Sequence, residues 1–279
     1  MMSALLKVCC LFLILAAFAS SPAMGATGEV RVVKYASDAS TILAETTVDV
    51  AWMEANLPVL GDGATHYYFQ GPVFEDAWDD LHPGEPYDPW NPDEDVNCVP
   101  NKDLGAVKGT NVADLCTLVG GMDEGDIVVI RSEDGFSKRF PYENVYDPDP
   151  RQGPMGLTWY TTGSEESGQY SGYAPDEYLT GMRLVMFADG STNPYGAHVF
   201  GVWDMHECVA EEYWHYYYQS QTDRYPSTGG FTVKYVSEVA IIEGEAADEA
   251  SSPASPGPGV VAVIVAAGAG TWLAWARRD

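Results

Sequence analysis

The side chains best able to bind a metal crowd into one stretch. It runs His198-Val199-Phe200-Gly201-Val202-Trp203-Asp204-Met205-His206-Glu207-Cys208, with Glu211, Glu212 and His215 close behind. Imidazole, thiolate and carboxylate so near one another suit zinc, copper or iron. His198, His206 and Cys208 are the candidate ligands. On a strand, His198 and His206 share a face, being an even number of residues apart; on a helix over Glu207–Tyr217, Glu211 and His215 would instead face each other at i, i+4. The spacing matches no standard zinc signature. The aromatic neighbours Trp203, Trp214 and Tyr216–Tyr218 also fit a packed cluster with hydrogen-bonded histidines.

Of five cysteines, Cys9 and Cys10 lie in an N-terminal apolar run, leaving Cys98, Cys116 and Cys208. Cys116 sits where Val112, Leu115, Cys116 and Val119 recur at helical spacing, with Asn111 placed to cap and Gly120 to stop. That makes it a small core residue. Cys98 and Cys208 remain, either as two halves of a disulfide or as separate thiols. Acidic loops around Asp88, Asp93–Asp95, Asp147 and Asp149 offer oxygen ligands but no EF-hand spacing, so they read as solvated. A Gly-rich phosphate loop, a nucleophile elbow, a haem-attachment motif and a basic patch are all absent from the sequence.

These residues must be positioned by short elements. Glu29–Tyr35 and Ile42–Val50 predict two strands around the polar turn Ala36–Ser40, and Ala51–Leu57 a brief helix stopped by Pro58. Gly61–Asn97 has little period and is expected to be a structured loop. After the helix over 112–119, strands are predicted at Asp126–Arg131, Phe136–Phe140, Leu157–Tyr160, Arg183–Ala188, His198–Trp203, Phe231–Val236 and Val239–Glu243. Many strands with few short helices give an α+β class with mixed sheets, or a mainly β sandwich.

Four segments, in order, resemble the molybdopterin-binding domain of the sulfite oxidase superfamily. Lys108-Gly109-Thr110-Asn111-Val112-Ala113-Asp114-Leu115 is similar to its Gly-Val-Pro-Leu-x-Asp-Leu-Leu strand and helix. Arg131-Ser132-Glu133-Asp134-Gly135-Phe136-Ser137 is similar to its Ser-x-Asp-Gly-Tyr turn. Gly181-Met182-Arg183-Leu184-Val185 resembles its Pro-Leu-Arg-Leu-Val strand, and Thr232-Val233-Lys234-Tyr235-Val236-Ser237-Glu238-Val239 its closing Ser-Val-Lys-Trp-Leu-x-x-Ile. The resemblance spans about residues 105–243. It implies a molybdenum or tungsten pterin cofactor, with Cys98, 11 residues before Gly109, as the metal thiolate. It also implies that Arg183 and Lys234 offer cations to the pterin phosphate. The Cys-Ala-Gly-Asn and Arg-Asn-His motifs of sulfite oxidases proper are missing, and Ser191–Gly230 would be an elaboration.

The chain carries a net charge of −27. Three of its 14 Lys/Arg (Lys7, Arg277, Arg278) lie at the ends, so the part between is poorer still in cations. Such a field repels nucleic acid and anionic surfaces, which excludes nucleic-acid binding, and suits solvation at high ionic strength.

Residues 1–25 have the form of a signal peptide: Lys7, the apolar run Val8–Ala19, then small residues at Ala23 and Gly25. Residues 26–243 form the globular domain, and 244–259, rich in Ala, Ser, Pro, Gly and acids, a flexible linker. Residues 260–276 are uncharged and reach roughly 25 Å as a helix, the lower end for a membrane span. Residues 277–279 form a basic end that stays cytoplasmic. Pro256-Gly257-Pro258-Gly259, the apolar run and Arg-Arg together resemble the tripartite tails of archaeal surface proteins processed by archaeosortases, whose usual signature has Phe where Pro258 stands.

The expectation is therefore an extracytoplasmic, surface-held domain with the membrane as one partner and an electron-transfer or envelope protein as another. Its role is that of a molybdopterin-type oxidoreductase or electron-transfer domain. The alternative is a non-catalytic envelope module that keeps the fold without the metal.

Overall fold

A computed structural model describes residues 28–90, 102–163, 170–188 and 196–244. Cys98, the expected signal peptide, all but the first residue of the linker and the C-terminal apolar segment lie outside the described residues. No described helix is long and apolar enough to cross a membrane.

The first sheet is built on β1 (Glu29–Tyr35), β2 (Ile42–Asp49), β6 (Ile127–Ser132), β7 (Ser137–Pro141) and β14 (Val236–Ile242), in the order β2-β1-β14-β6-β7. The last strand runs parallel to the first and antiparallel to β6, so it stitches both ends of the domain together. Its apolar side chains Val236, Val239, Ala240, Ile241 and Ile242 are buried. On the same strand Glu238 lies in register between Arg31 of β1 and Arg131 of β6, and it pairs with both guanidinium groups.

The second sheet is assembled from β4 (His66–Phe69), β5 (Asp103–Asn111), β8 (Met155–Thr161), β10 (Arg183–Met186) and β11 (His198–Phe200), in the order β10-β8-β5-β4-β11. Two-residue strands flank it: β3 (Val59–Leu60) on β5 and β9 (Gly172–Tyr173) on β8. A hairpin of β12 (Tyr216–Tyr218) and β13 (Arg224–Pro226) stands apart.

Short helices fill the corners: α1 (Val50–Asn56), α2 (Glu75–Leu81), α3 (Val112–Thr117), α4 (Tyr142–Tyr146) and α5 (Val202–Cys208). α3 is held as its sequence predicts. The Asn111 side chain accepts from the Ala113 N–H, and Val112, Leu115 and Cys116 are buried. This helix packs between the two sheets, touching β1 and β14 on one side and β5 and β8 on the other. The shared core includes Trp159, whose indole N–H donates to Thr110 Oγ1 at 3.1 Å, so its one polar atom is satisfied. The class is α+β, with mixed sheets and few short helices.

Several elements differ from expectation. The 61–97 segment carries β4 and α2 and is not merely a loop. The strand expected to reach Trp203 stops at Phe200, because the Asp204 carboxylate accepts the Gly201 N–H at 2.9 Å and starts α5. The helix imagined over Glu207–Tyr217 is replaced by the end of α5, a 3₁₀ turn over Glu211–Tyr213 and strand β12. The strand expected at Phe231–Val236 begins only at Val236; before it, Gly229–Phe231 is a 3₁₀ turn.

Candidate anion-binding groove

The segment from Gly229 to Val236 crosses from one sheet to the other. Backbone bonds from Leu184 N to Val233 O (2.9 Å), from Tyr235 N to Thr180 O (2.8 Å) and from Val236 N to Met182 O (2.9 Å) dock it against β10 and the turn before it. Phe231 anchors the segment in the core, against Phe140 and Phe200. Opposite lies the β6–β7 turn, where Asp134 accepts the Phe136 N–H and Gly135 takes a φ of 88° open to glycine. Between the two runs a groove of about 310 Å³, lined by Asp134, Phe136, His215, Gly230, Thr232 and Lys234 among others.

Four basic groups gather at and behind this groove. Lys234 lines it. Arg183 lies behind, 5% exposed, and donates from Nη2 to Thr232 Oγ1 at 2.8 Å while its guanidinium sits 5.6 Å from the Phe69 ring centroid. Its Nε has no partner. Lys138 sends its ammonium to the carbonyls of Tyr213 and Trp214, 4.4 Å from the centroid of the Phe231 ring. His215 packs edge-on to Phe136, and its ring occupies the space that a side chain on Gly230 would need, with Cε1 2.4 Å from the position of a Cβ.

Desolvation pushes every one of these groups toward its neutral form; Arg183 is buried, Lys138 and His215 are half-buried, and Lys234 stands exposed at the groove's rim. The Arg183 guanidinium is lowered by desolvation, opposed by Tyr178 and Tyr235. Lys234 is lowered first by burial and then by Arg183, with Asp134 pulling the other way. Lys138 falls to about 7 through burial, and His215 to about 4 through burial and the neighbouring Lys138. Neither Arg183 nor Lys234 forms an ion pair with a carboxylate among the described residues. An anion in the groove would reverse the electrostatic part of these shifts.

The expected site residues divide accordingly. Arg183 and Lys234 are brought within electrostatic reach of each other. Cys98 lies outside the described residues. His198, on β11, spends Nδ1 on the Ala188 carbonyl at 2.6 Å and packs on Tyr67. His206, on α5, bonds Glu207 at 2.9 Å and stacks flat on Trp203, with Trp90 and Trp214 around it.

Cys208, two residues further along the same helix, points elsewhere. Its thiol is pushed up to about 12 by burial and by Asp149 and Asp204, the opposite of what a thiolate ligand needs. With α5 intervening, His198 and His206 do not share a strand face. Glu211 and His215 do not share a helix. Among the described residues no group of three or more His, Cys, Asp or Glu side chains is placed to hold a metal ion. Among the described residues Cys116 and Cys208 form no disulfide.

Lys138, His215 and Gly229–Gly230 were not identifiable as groove residues from sequence. The Gly-Gly pair ahead of Phe-Thr-Val-Lys was the one available signal, since it marks a close backbone approach. Comparison of the chain with protein-family models, with curated proteins and with solved structures returns no match.

Proposed function

We propose that the groove receives the phosphate end of a pterin cofactor. The chain would then be a surface-held, extracytoplasmic redox domain with a molybdopterin-binding type of fold. One observation carries this reading. In a protein of net charge −27, Arg183 and Lys234 come together at one groove, and among the described residues neither forms an ion pair; Asp134 in the groove wall acts on Lys234 alone and leaves Arg183 unopposed. A buried cation left unpaired is costly unless something else satisfies it, and a phosphate satisfies it well.

The residues present fit that end of the cofactor. Lys234 would meet phosphate oxygens directly, while Arg183 would act through the hydroxyl of Thr232 and through its own charge. When bound, the molybdenum or tungsten of such a cofactor supplies oxygen-atom or electron transfer. The chain's own part is to hold the phosphate, shield it with Phe136 and keep Lys234 poised beside Arg183. By the resemblance, Cys98 would provide the thiolate, and an electron-transfer protein of the envelope would be the partner.

A second reading rests on a different feature. Trp90, Trp203, His206, Trp214 and Tyr216 form a continuous aromatic cluster beside the exposed Tyr217 and Tyr218, which fits an envelope-binding module lacking the metal. Elemental analysis of the full chain purified from its native host separates the two. Stoichiometric molybdenum or tungsten, lost in Cys98→Ser and reduced in Lys234→Gln, is expected. A metal-free protein with an intact fold would overturn the cofactor reading in favour of the module.

A further inference from the structure

The two outer strands of the first sheet are finished differently. Natural sheets protect such edges with charged side chains (lysine above all), proline, bulges or short length, because an open edge invites another strand. β7 follows that rule with Lys138, Arg139 and Pro141. β2 does not. It is eight residues long, contains no Lys, Arg or Pro, and pairs only with β1 among the described residues. Ile42 and Leu43 at its start are 47% and 50% exposed. Beside its other end lies a groove of about 300 Å³ lined by Thr46, Thr47, Val48, Asp49, Trp52 and Leu118.

We propose that β2 is a homodimerisation edge, on which a second copy of this chain adds its own β2 antiparallel to form a continuous ten-stranded sheet. Two constraints select the register. Burial along β2 shows Ala44, Thr46 and Val48 less exposed than Glu45, Thr47 and Asp49, so even and odd positions lie on opposite faces. A two-fold axis normal to the sheet keeps the faces matched, so even positions must oppose even ones. Centring the axis on Glu45 would set two carboxylates directly opposite each other, centring it on Thr47 would oppose Glu45 and Asp49, and centring it on Ala44 would leave Thr47–Asp49 without partners in the other strand.

Centring it on Thr46 sets Thr46 against Thr46, Glu45 against Thr47, Ala44 against Val48 and Leu43 against Asp49. No like charges then oppose each other, and Glu45 is already paired with Arg31. The exposed Leu43 of each copy arrives beside Asp49 and Trp52 of the other, at the groove. Apolar surface and cavity are thus exchanged twice, as an isologous contact requires.

The full chain, in detergent and at about 1 M salt to screen its charge, is expected to sediment as a dimer. Thr46→Lys is expected to sediment as a monomer with an unchanged far-UV circular dichroism spectrum. A dimer that persists in Thr46→Lys would overturn the proposal, as would a wild-type monomer at every concentration tested. Independently of whether that variant folds, mild oxidation of Thr46→Cys should give a covalent dimer, because residues on the axis approach within disulfide range. Thr47→Cys should not exceed the wild-type background, since its partner position is Glu45. Equal cross-linking of the two cysteine variants would also sink the idea.

Discussion

Arg183→Met tests whether the buried guanidinium serves a ligand or the fold. The substitution keeps most of the aliphatic stem and removes the charge. What it loses is small: one hydrogen bond to Thr232 at 2.8 Å and a ring contact at 5.6 Å, together about 2–4 kcal/mol. What it relieves is larger. An unsatisfied buried Nε costs about 1–3 kcal/mol, and a desolvated guanidinium without a carboxylate costs several more. The net expectation is a gain of about 1–3 kcal/mol, which for a domain of this size raises Tm by roughly 2–4 °C per kcal/mol.

Thermal unfolding of the ligand-free full chain and the variant in one buffer reads this directly. Added inorganic phosphate should raise the wild-type Tm further, by linkage, and raise the variant's less. A Tm for Arg183→Met several degrees below wild type would show that the cation supports the apo fold, and the reasoning for a reserved anion site would fail.

Two further outcomes follow from the geometry. His215 has a folded-state pKa of about 4 against an ordinary 6.5, so the unfolded chain binds its proton first and stability falls as pH drops between those values, by roughly 3 kcal/mol from this group. In urea unfolding at pH 7 and pH 4.5, His215→Gln should lose less stability across that interval than wild type; parallel profiles would contradict the burial of the ring. Gly109→Ala would place a Cβ 2.5 Å from the Leu157 carbonyl oxygen and 2.8 Å from the Thr158 Cα, forcing β5 away from β8. A loss of about 1–3 kcal/mol in unfolding free energy, read as a lower urea midpoint, is expected, and an unchanged midpoint would refute the close approach.

Much of the first sheet was legible because local signals agreed with one another. The alternation in Glu29–Tyr35, bounded by the Ala36–Ser40 turn, marks β1 to the residue. Asn111 and Gly120 bracket α3, and Glu133-Asp134-Gly135 turns β6 into β7. α5 was not legible. His198–Cys208 is a mixture of β-branched, aromatic and polar residues without a helical stripe, and its start depends on the Asp204 carboxylate reaching back to Gly201.

The groove was legible only in part. Its walls come from residues 132–136, 215 and 229–234, and nothing local in the sequence joins the first of these to the last. The resemblance points to Arg183 and Lys234, whereas His215 stood out in the sequence only as a metal-ligand type beside Glu211, and nothing in the sequence marked Lys138, because desolvation and not motif makes both unusual.

In a chain this acidic, the location of each cation carries information. Arg31 and Arg131 share Glu238, with Arg31 also reaching Glu45; Lys34 faces Asp126 and Glu243; Arg151 reaches the fully buried Asp204. Each of these cations offsets carboxylate charge and ties one segment to another, which is what a protein dominated by acids needs from its few bases. Among the described residues Lys138, Arg183 and Lys234 form no ion pair with a carboxylate, and neither do Lys102, Lys108 and Arg224, of which Lys108 and Arg224 lie over the rings of Tyr160 and Tyr216. What sets Lys138, Arg183 and Lys234 apart is that they, with His215, gather around one groove and shift toward neutrality there, so the proposed anion would gain most at that place.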